Sequence, residues 1–482
     1  MSAKPARRSR TSKKPPLAVD LDGTLMRGDL FGESILRFLF SKPWRLPQLV
    51  GWLAKGRAHA KAQLAEAAPF DPSELPYDER FVTWLRSERA EGRTIVLATA
   101  SDRAAADVVA AHIGVFDDVF ASDGETNLKS HRKAERLAEA FPDGFVYAGN
   151  EIADLKVWSR ASHAVLVNAP PWLEQHAQRT FKVEQTFAPE NNSALALIKA
   201  VRPQQWAKNI LVFLPLLTGQ GWFDGTAWWH AIVAFFAISC VASSVYLVND
   251  AADIDADRRH PRKRLRPFAR GAVSPFTGLA LAVLLCACGF GLGWSVGVAP
   301  LLGIYLFSTT LYTFALKRMV LVDVFLLAGL YTLRVVIGGA ASGFVASSWL
   351  LAFSTFFFLS LALVKRVVEV RALQAVGSTT LARRGYHVAD GPVLTMMGVS
   401  AGFVSALVLA LYTQSETVLA RYHAPLALWA LPGLTVFWMC RVWLKTARGE
   451  MTDDPLVFAF RDRGSIAIGA LAAAAFAYAA LG

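Results

Sequence analysis

The chain has 482 residues, 54% of them hydrophobic and only 18% charged, with a formal net charge of +12. Such a length exceeds one soluble domain, and such a composition points to membrane. The positive balance does not call for nucleic acid, because after Arg202 the Lys and Arg residues fall mainly in short connections between apolar runs, as they do on the cytoplasmic side of membrane proteins.

The four cysteines (Cys240, Cys286, Cys288, Cys440) sit in apolar runs without metal-ligand spacing, so they read as small core residues and imply no disulfide framework. Residues 1–16 are basic, and no apolar stretch follows before Asp20. This is not the pattern of a secretory signal peptide; it predicts a disordered cationic tail, either solvated or touching anionic lipid. Up to about Pro189 charges interrupt every stretch, whereas after Asn209 long runs carry none. Two regions are therefore expected in different solvents, a soluble domain over 17–190 and a membrane domain over 195–482.

Leu17-Ala18-Val19 reads as a short buried strand, and Asp20-Leu21-Asp22-Gly23-Thr24 as the loop that ends it. Carboxylates two residues apart suit phosphoryl transfer: one attacks phosphorus, and the other protonates the leaving oxygen and later activates water. The segment resembles the first motif of the haloacid dehalogenase (HAD) superfamily, an α/β Rossmann-like fold. That resemblance implies a phosphate-binding Thr99 after the TIVLA strand and a lysine, Lys129 with Lys133 as competitor. It also implies a metal-binding motif at Gly149-Asn150 with Asp154. Mg²⁺ would then be held by Asp20, Asp22, Asn150 and Asp154. The usual aspartate is Asn150 here, which removes one negative charge from an oxygen site that gains affinity from charge, so both an active phosphatase and a degenerate binding domain stay open. About 70 residues between the first two motifs, apolar and basic at helical spacing, suggest a helical cap over roughly 26–92. It either packs on its own core or touches lipid.

Apolar runs suggest about nine spanning helices, at roughly 207–220, 227–248, 275–295, 298–316, 319–341, 345–364, 393–413, 422–444 and 465–481. The connections near 249–274, 317–318, 365–392 and 445–464 hold most basic residues, including Arg383 and Arg384, with Arg421 a clear exception on the other side. This places the N-terminal domain and those connections in the cytoplasm, at the cell inner membrane.

Just after the second run come Asp250, Asp253 and Asp257, spaced i, i+3, i+7. On a helix this lies within about 60° of one face, where carboxylates repel unless a cation lies among them. Mg²⁺ with open positions for phosphate oxygens fits. The segment Asn249–Asp257 resembles the NDxxDxxxD motif of the UbiA superfamily. Arg202-Pro203-Gln204-Gln205-Trp206-Ala207-Lys208-Asn209 before the first span and Tyr312 with Lys317 agree with it, so an all-α polytopic UbiA bundle is implied.

Most members carry a second Asp-rich segment after the sixth span, whereas here Lys365-Arg366-Val367-Val368-Glu369 stands there. That departure resembles the decaprenyl-phosphate phosphoribosyltransferase branch, in which a polyprenyl phosphate attacks C1 of phosphoribosyl diphosphate (PRPP). The resemblance assigns Asp250, Asp253 and Asp257 to Mg²⁺ and diphosphate departure, and Lys365, Arg366, Arg202, Lys208, Tyr312 and Lys317 to phosphate binding. Two alternatives remain: prenyl transfer from a polyprenyl diphosphate to an aromatic acceptor such as 4-hydroxybenzoate, and a lipid transporter or binding protein with a regulatory HAD domain. Asp323 and Arg334, inside the fifth run, are either a buried pair or substrate contacts. Oligomeric state is not readable.

Overall fold

The computed structural model describes residues 14–123, 127–190, 193–375, 385–452 and 454–481. Most of the basic tail expected at 1–16, together with Arg383 and Arg384, lies outside them. The chain divides into two compact units: Met1–Val201 with Leu247–Ala280, and Arg202–Tyr246 with Leu281–Gly482.

In the first unit, β1 (Leu17–Val19), β2 (Ile95–Asp102), β3 (Asp118–Ser122), β4 (Val146–Gly149), β5 (His163–Val167) and β6 (Val183–Phe187) form one parallel sheet in the order β3-β2-β1-β4-β5-β6. The near-continuous apolar runs of β1, β2, β4 and β5 match a sheet buried on both faces. Leu17, Val19, Ile95 and Leu97 enter one core, while Ala18, Val96, Ala98, Tyr147 and Leu166 enter the other. The order reverses between β1 and β4, so a crevice opens beyond the carboxyl ends of these two strands, where such folds bind ligands. This is the expected Rossmann-like α/β architecture.

The cap consists of α1 (Leu30–Ser41), α2 (Leu46–Ala54) and α3 (Arg57–Ala67). It packs on its own core through Ile35, Phe38, Leu49 and Leu64. It is narrower than 26–92, because α4 (Glu79–Ala90) drives Phe81, Val82 and Leu85 into the sheet core instead.

Seven helices among the described residues are long and apolar enough to cross a membrane: Gly225–Ala252, Pro275–Ser295, Val322–Ser342, Ser348–Gln374, Val388–Thr413, Pro425–Ala447 and Arg463–Leu481. The protein is an integral membrane protein, but the count of nine is not met. Ala299–Phe314 is a shorter apolar helix. The run expected at 207–220 is a 3₁₀ stretch, Pro203–Phe213, followed by a short helix, Leu214–Thr218. Pro215 explains the division: it lacks an N–H and fits the first turn of a new helix rather than the interior of a long one.

The second unit gives its buried charged side chains polar or charged partners, as lipid surroundings require. Arg366 is fully buried against Asp323 and Glu369. Arg334 donates to Asn209 Oδ1 at 2.8 Å and to Tyr305 Oη at 2.9 Å. The pairing considered between Asp323 and Arg334 is thereby corrected: each has a different partner, because Tyr386 and Arg366 reach Asp323 first.

Asp78 caps α4 and ties three segments of the first unit, accepting from Arg80 at 2.9 Å, Asn168 at 3.0 Å and Arg27 at 3.1 Å. Burial would raise its pKa, but these donors and the Arg27 charge win and hold it at about 2. A depressed carboxylate stabilises the fold above its unfolded pKa of about 3.9 and loses that contribution as pH falls through the folded value. Asp78→Asn should therefore cost about 2 kcal/mol at pH 7, read as a lower unfolding temperature by circular dichroism. The gap to the parent should narrow as pH falls from about 4 toward 2.

Candidate active sites

At the crevice of the first unit, Asp20 follows β1 and receives Lys133 Nζ at 2.7 Å. Lys133 also reaches Tyr147 Oη at 2.8 Å, and Tyr147 donates to Asp154 Oδ1 at 2.9 Å. Asp154 Oδ2 accepts the backbone N–H of Asn150 and of Glu151. Burial pushes Lys133 down, but the charges of Asp20 and Asp154 more than offset it and hold its pKa above the ordinary range.

Lys129 instead lies in an exposed pair with Glu151. The expectation that Lys129 serves the nucleophile is thus corrected: the helix His131–Ala140 carries Lys133 inward, while Lys129 precedes it in the loop.

Asp22 accepts from Leu30 N at 2.8 Å and from Ser101 Oγ at 3.0 Å. Desolvation, and then the charges of Asp29 and Asp20, push its pKa up to about 7, so it keeps a proton near neutrality, as an acid for a leaving oxygen must. Thr99 is buried at the end of β2, and its Oγ1 accepts from Ser101 N. Asn150 lies over the tight turn at Gly23, where a Cβ would approach its amide nitrogen to 2.1 Å, and its Oδ1 accepts from Thr24. From the cap, Lys61 donates to Ala100 O and lines a small pocket with Phe31, Leu64, Phe70 and Ser101.

The Asp-rich segment belongs to this same unit. The helix Gly225–Ala252 ends just past Asp250, Asp253 leaves the helical region at φ −101°, ψ 14°, and a short helix, Ile254–Arg259, follows. The three aspartates therefore do not share one regular helix face. Two of them nevertheless converge: Arg266 Nη1 lies 3.2 Å from Asp250 Oδ1 and 2.6 Å from Asp257 Oδ2. Burial raises the Asp257 pKa, against the pull of Arg266.

In the second unit Lys208 pairs with Asp454, which caps the helix Pro455–Arg461. Burial opposes ionisation of Asp454, but Lys208 and then Lys365 hold its pKa down. Arg202 lies over the Tyr246 ring at 5.4 Å, and Tyr312 is half-buried on the helix Ala299–Phe314. Lys317 follows that helix in the 3₁₀ turn Leu316–Arg318. Arg366 is committed to Asp323 and Glu369 and is not open to a phosphate.

Among the described residues no three His, Cys, Asp or Glu side chains group as a metal cage. Mg²⁺ commonly needs only one or two carboxylates, with substrate phosphates and water completing its shell. Two places fit that pattern. Asp250 and Asp257 already share one cationic group, and Asp154, pushed up to about 6 by burial and by Asp20, accepts the backbone N–H of Asn150, whose side chain carries an amide oxygen.

Residues 210–462 match the UbiA prenyltransferase family. The chain belongs to this family. An uncharacterized protein of Sinorhizobium fredii is 37% identical over 468 residues, 96% of this chain and 91% of that protein. The decaprenyl-phosphate phosphoribosyltransferase of Mycolicibacterium smegmatis is 35% identical over 205 residues, 41% of this chain and 64% of that enzyme. A substrate-bound phosphoserine phosphatase structure matches 39% of the chain and 99% of its own length at 16% identity, with a TM-score of 0.28.

As a UbiA family member, the chain also carries several residues at these places that sequence reasoning missed. Ser101 lies two residues past the expected end of its strand, Tyr147 precedes Gly149-Asn150 with no signal of its own, Lys61 lies on a cap helix, Arg266 is one of several basic residues in its connection, and Asp454 follows the eighth expected span without a motif. Lys133→Ala should lower release of phosphate from p-nitrophenyl phosphate by about 100-fold, the cost of losing one preorganised charge-stabilising donor. Lys129→Ala should leave that rate within a factor of about three, since an exposed pair contributes little.

Proposed function

We propose that this protein transfers the phosphoribosyl group of PRPP to a polyprenyl phosphate at the cytoplasmic face of the inner membrane, releasing diphosphate, and that its HAD-like domain then removes the 5-phosphate from the product. The observation that carries the transfer reading is the convergence of Asp250 and Asp257 on one cation position at the end of a membrane helix. Bound there, Mg²⁺ would supply charge neutralisation for the departing diphosphate. The lipid phosphate is already anionic at neutral pH, so its oxygen attacks C1 without a strong base as the bond from C1 to the diphosphate oxygen breaks.

Asp253 is assigned to the same segment's hold on the metal. Lys365 and Lys208 are assigned to a substrate phosphate, which would take them over from Asp454; Arg202, Lys317 and Tyr312 complete that assignment. Arg366 is assigned a different role from the one expected, clamping the helix that carries it to the helix of Asp323. Lys365, standing where an acidic segment would bind a second metal, favours a phosphorylated sugar over a prenyl diphosphate. A cleft of about 280 Å³ lined by Leu321, Phe325, Phe356, Leu363, Met397 and Val404 suits part of an apolar chain.

In the front domain, Asp20 attacks the phosphorus, Lys133 neutralises the nucleophile and the incoming phosphoryl group, and Asp22 donates its proton to the ribose oxygen that leaves. Asp22, now a carboxylate, takes a proton from the water that attacks the phosphorylated Asp20 and frees it as inorganic phosphate is released. Thr99 is assigned to hold the phosphoryl oxygens. Asn150 and Asp154, with Asp20, are the residues that would hold Mg²⁺ there.

Membranes containing the protein should convert labelled PRPP and polyprenyl phosphate to a lipid-soluble product in the presence of Mg²⁺. They should form none from polyprenyl diphosphate and 4-hydroxybenzoate. The reverse pattern would establish prenyl transfer, and no product from either would favour a transporter. Asp257→Asn should slow the transfer by about 100-fold. Asp20→Asn should still make the lipid product but release no inorganic phosphate from it; release at the parental rate would refute the phosphatase assignment.

A further inference from the structure

The cap of the front domain is bonded to the segment that carries Asp250, Asp253 and Asp257, and all of these residues lie within the first unit. Arg258 donates to both carboxylate oxygens of Glu33 on α1, at 2.7 and 2.8 Å, with both side chains nearly fully buried. One turn further along α1, Arg37 donates to both oxygens of Asp255, at 2.7 and 2.8 Å. A third pair joins Arg259 to Glu74.

The backbones approach closely at the same places. A Cβ on Gly271 would stand 1.8 Å from the carbonyl oxygen of Arg27, and one on Gly32 would stand 2.6 Å from the Phe276 ring. Arg258 also donates from Nε to Ala269 O at 2.8 Å, so the side chain that holds the cap also closes the loop bringing Arg266 to Asp250 and Asp257.

We propose that Glu33 and Arg37 are positioning residues for the Asp-rich segment, so that the cap of the phosphatase sets the geometry in which Asp250 and Asp257 hold a divalent cation. The placement of the bonds argues for this role. Asp255 and Arg258 flank Asp257 in the chain, at two residues before and one after, and both are gripped by α1. The backbone that aims the Asp257 carboxylate is thereby fixed from both sides. Bidentate guanidinium–carboxylate pairs constrain orientation as well as distance, and ligand geometry held within about half an ångström depends on such supporting contacts. Glu33 and Arg37 touch neither metal nor substrate in this scheme and act only through Arg258 and Asp255.

By linkage the influence is reciprocal: whatever moves α1 changes the affinity of the Asp-rich segment for its cation, and cation binding there biases the position of α1. Two activities in one chain would then share one mechanical element. The inference rests on the reading that Asp250 and Asp257 hold a metal, but not on which substrate is transferred.

The test uses the full chain in lipid nanodiscs, with Mn²⁺ as probe and free Mn²⁺ measured by electron paramagnetic resonance. An Asp20→Asn background weakens the site in the front domain, and a further Asp257→Asn change identifies binding that belongs to the Asp-rich segment. Glu33→Arg, which sets two guanidinium groups against each other, should weaken that binding at least about five-fold, the lower range of typical coupling between sites. Glu33→Arg combined with Arg258→Glu should restore it to within about two-fold, which a general loss of folding would not allow. Glu33→Gln, a gentler change that leaves Arg258 one acceptor, should weaken it in the same direction while the far-ultraviolet circular dichroism stays that of the parent.

Unchanged Mn²⁺ affinity in Glu33→Arg, or a weakening that the exchanged pair fails to recover, would overturn the positioning role. Absence of any binding sensitive to Asp257→Asn would instead overturn the metal reading of the segment, and the inference with it.

Discussion

Carboxylates removed from water do not stay together without a cation among them, and the organisation of this protein follows from that constraint. Two like charges 4 Å apart repel by about 4 kcal/mol at the effective dielectric of a protein near its surface. Asp22 meets the difficulty by keeping a proton, and at four other places the chain sets a basic side chain of its own against its buried carboxylates. Lys133 stands between Asp20 and the Tyr147–Asp154 arm, Arg266 between Asp250 and Asp257, Arg366 between Asp323 and Glu369, and Lys208 beside Asp454.

These cations do not all have the same function. Arg366 is fully buried, and removing it would leave Asp323 charged and without a cation inside the protein, a structural penalty. Arg266 is partly exposed and holds its two carboxylates through a single nitrogen, and in the proposed transfer it is the cation that yields its place to metal and phosphate. Lys133 remains in place during the proposed phosphatase reaction, because the nucleophile beside it and the incoming phosphoryl group are both negative. An internal cation thus keeps a site assembled before its substrate arrives, and whether that cation stays or yields distinguishes a scaffold from a binding position.

Much of the architecture was legible in the sequence because its signals are local. The apolar run at 17–19 ahead of Asp20, the charge-free stretches after Asn209 and the aspartates from 250 to 257 each report on their own surroundings. What stayed hidden depends on partners distant in the chain. Lys129 matches the motif in sequence with Lys133 as its competitor, and only the fold shows that the buried face of the 131–140 helix brings Lys133 to Asp20. Arg366 looked available for phosphate because nothing near it in sequence announces Asp323. The first expected span failed for a local reason that was visible, Pro215, but hydropathy alone does not register the start of a new helix.

The central claim is that Asp250 and Asp257 exchange the Arg266 guanidinium for a divalent metal. Crystals of the protein grown with Mn²⁺ and diphosphate, measured at a wavelength where manganese scatters anomalously, test it directly. The account predicts an anomalous peak in contact with both carboxylates and the diphosphate, with the Arg266 side chain withdrawn. Arg266 still bridging the two aspartates, with manganese bound to diphosphate elsewhere, would contradict it.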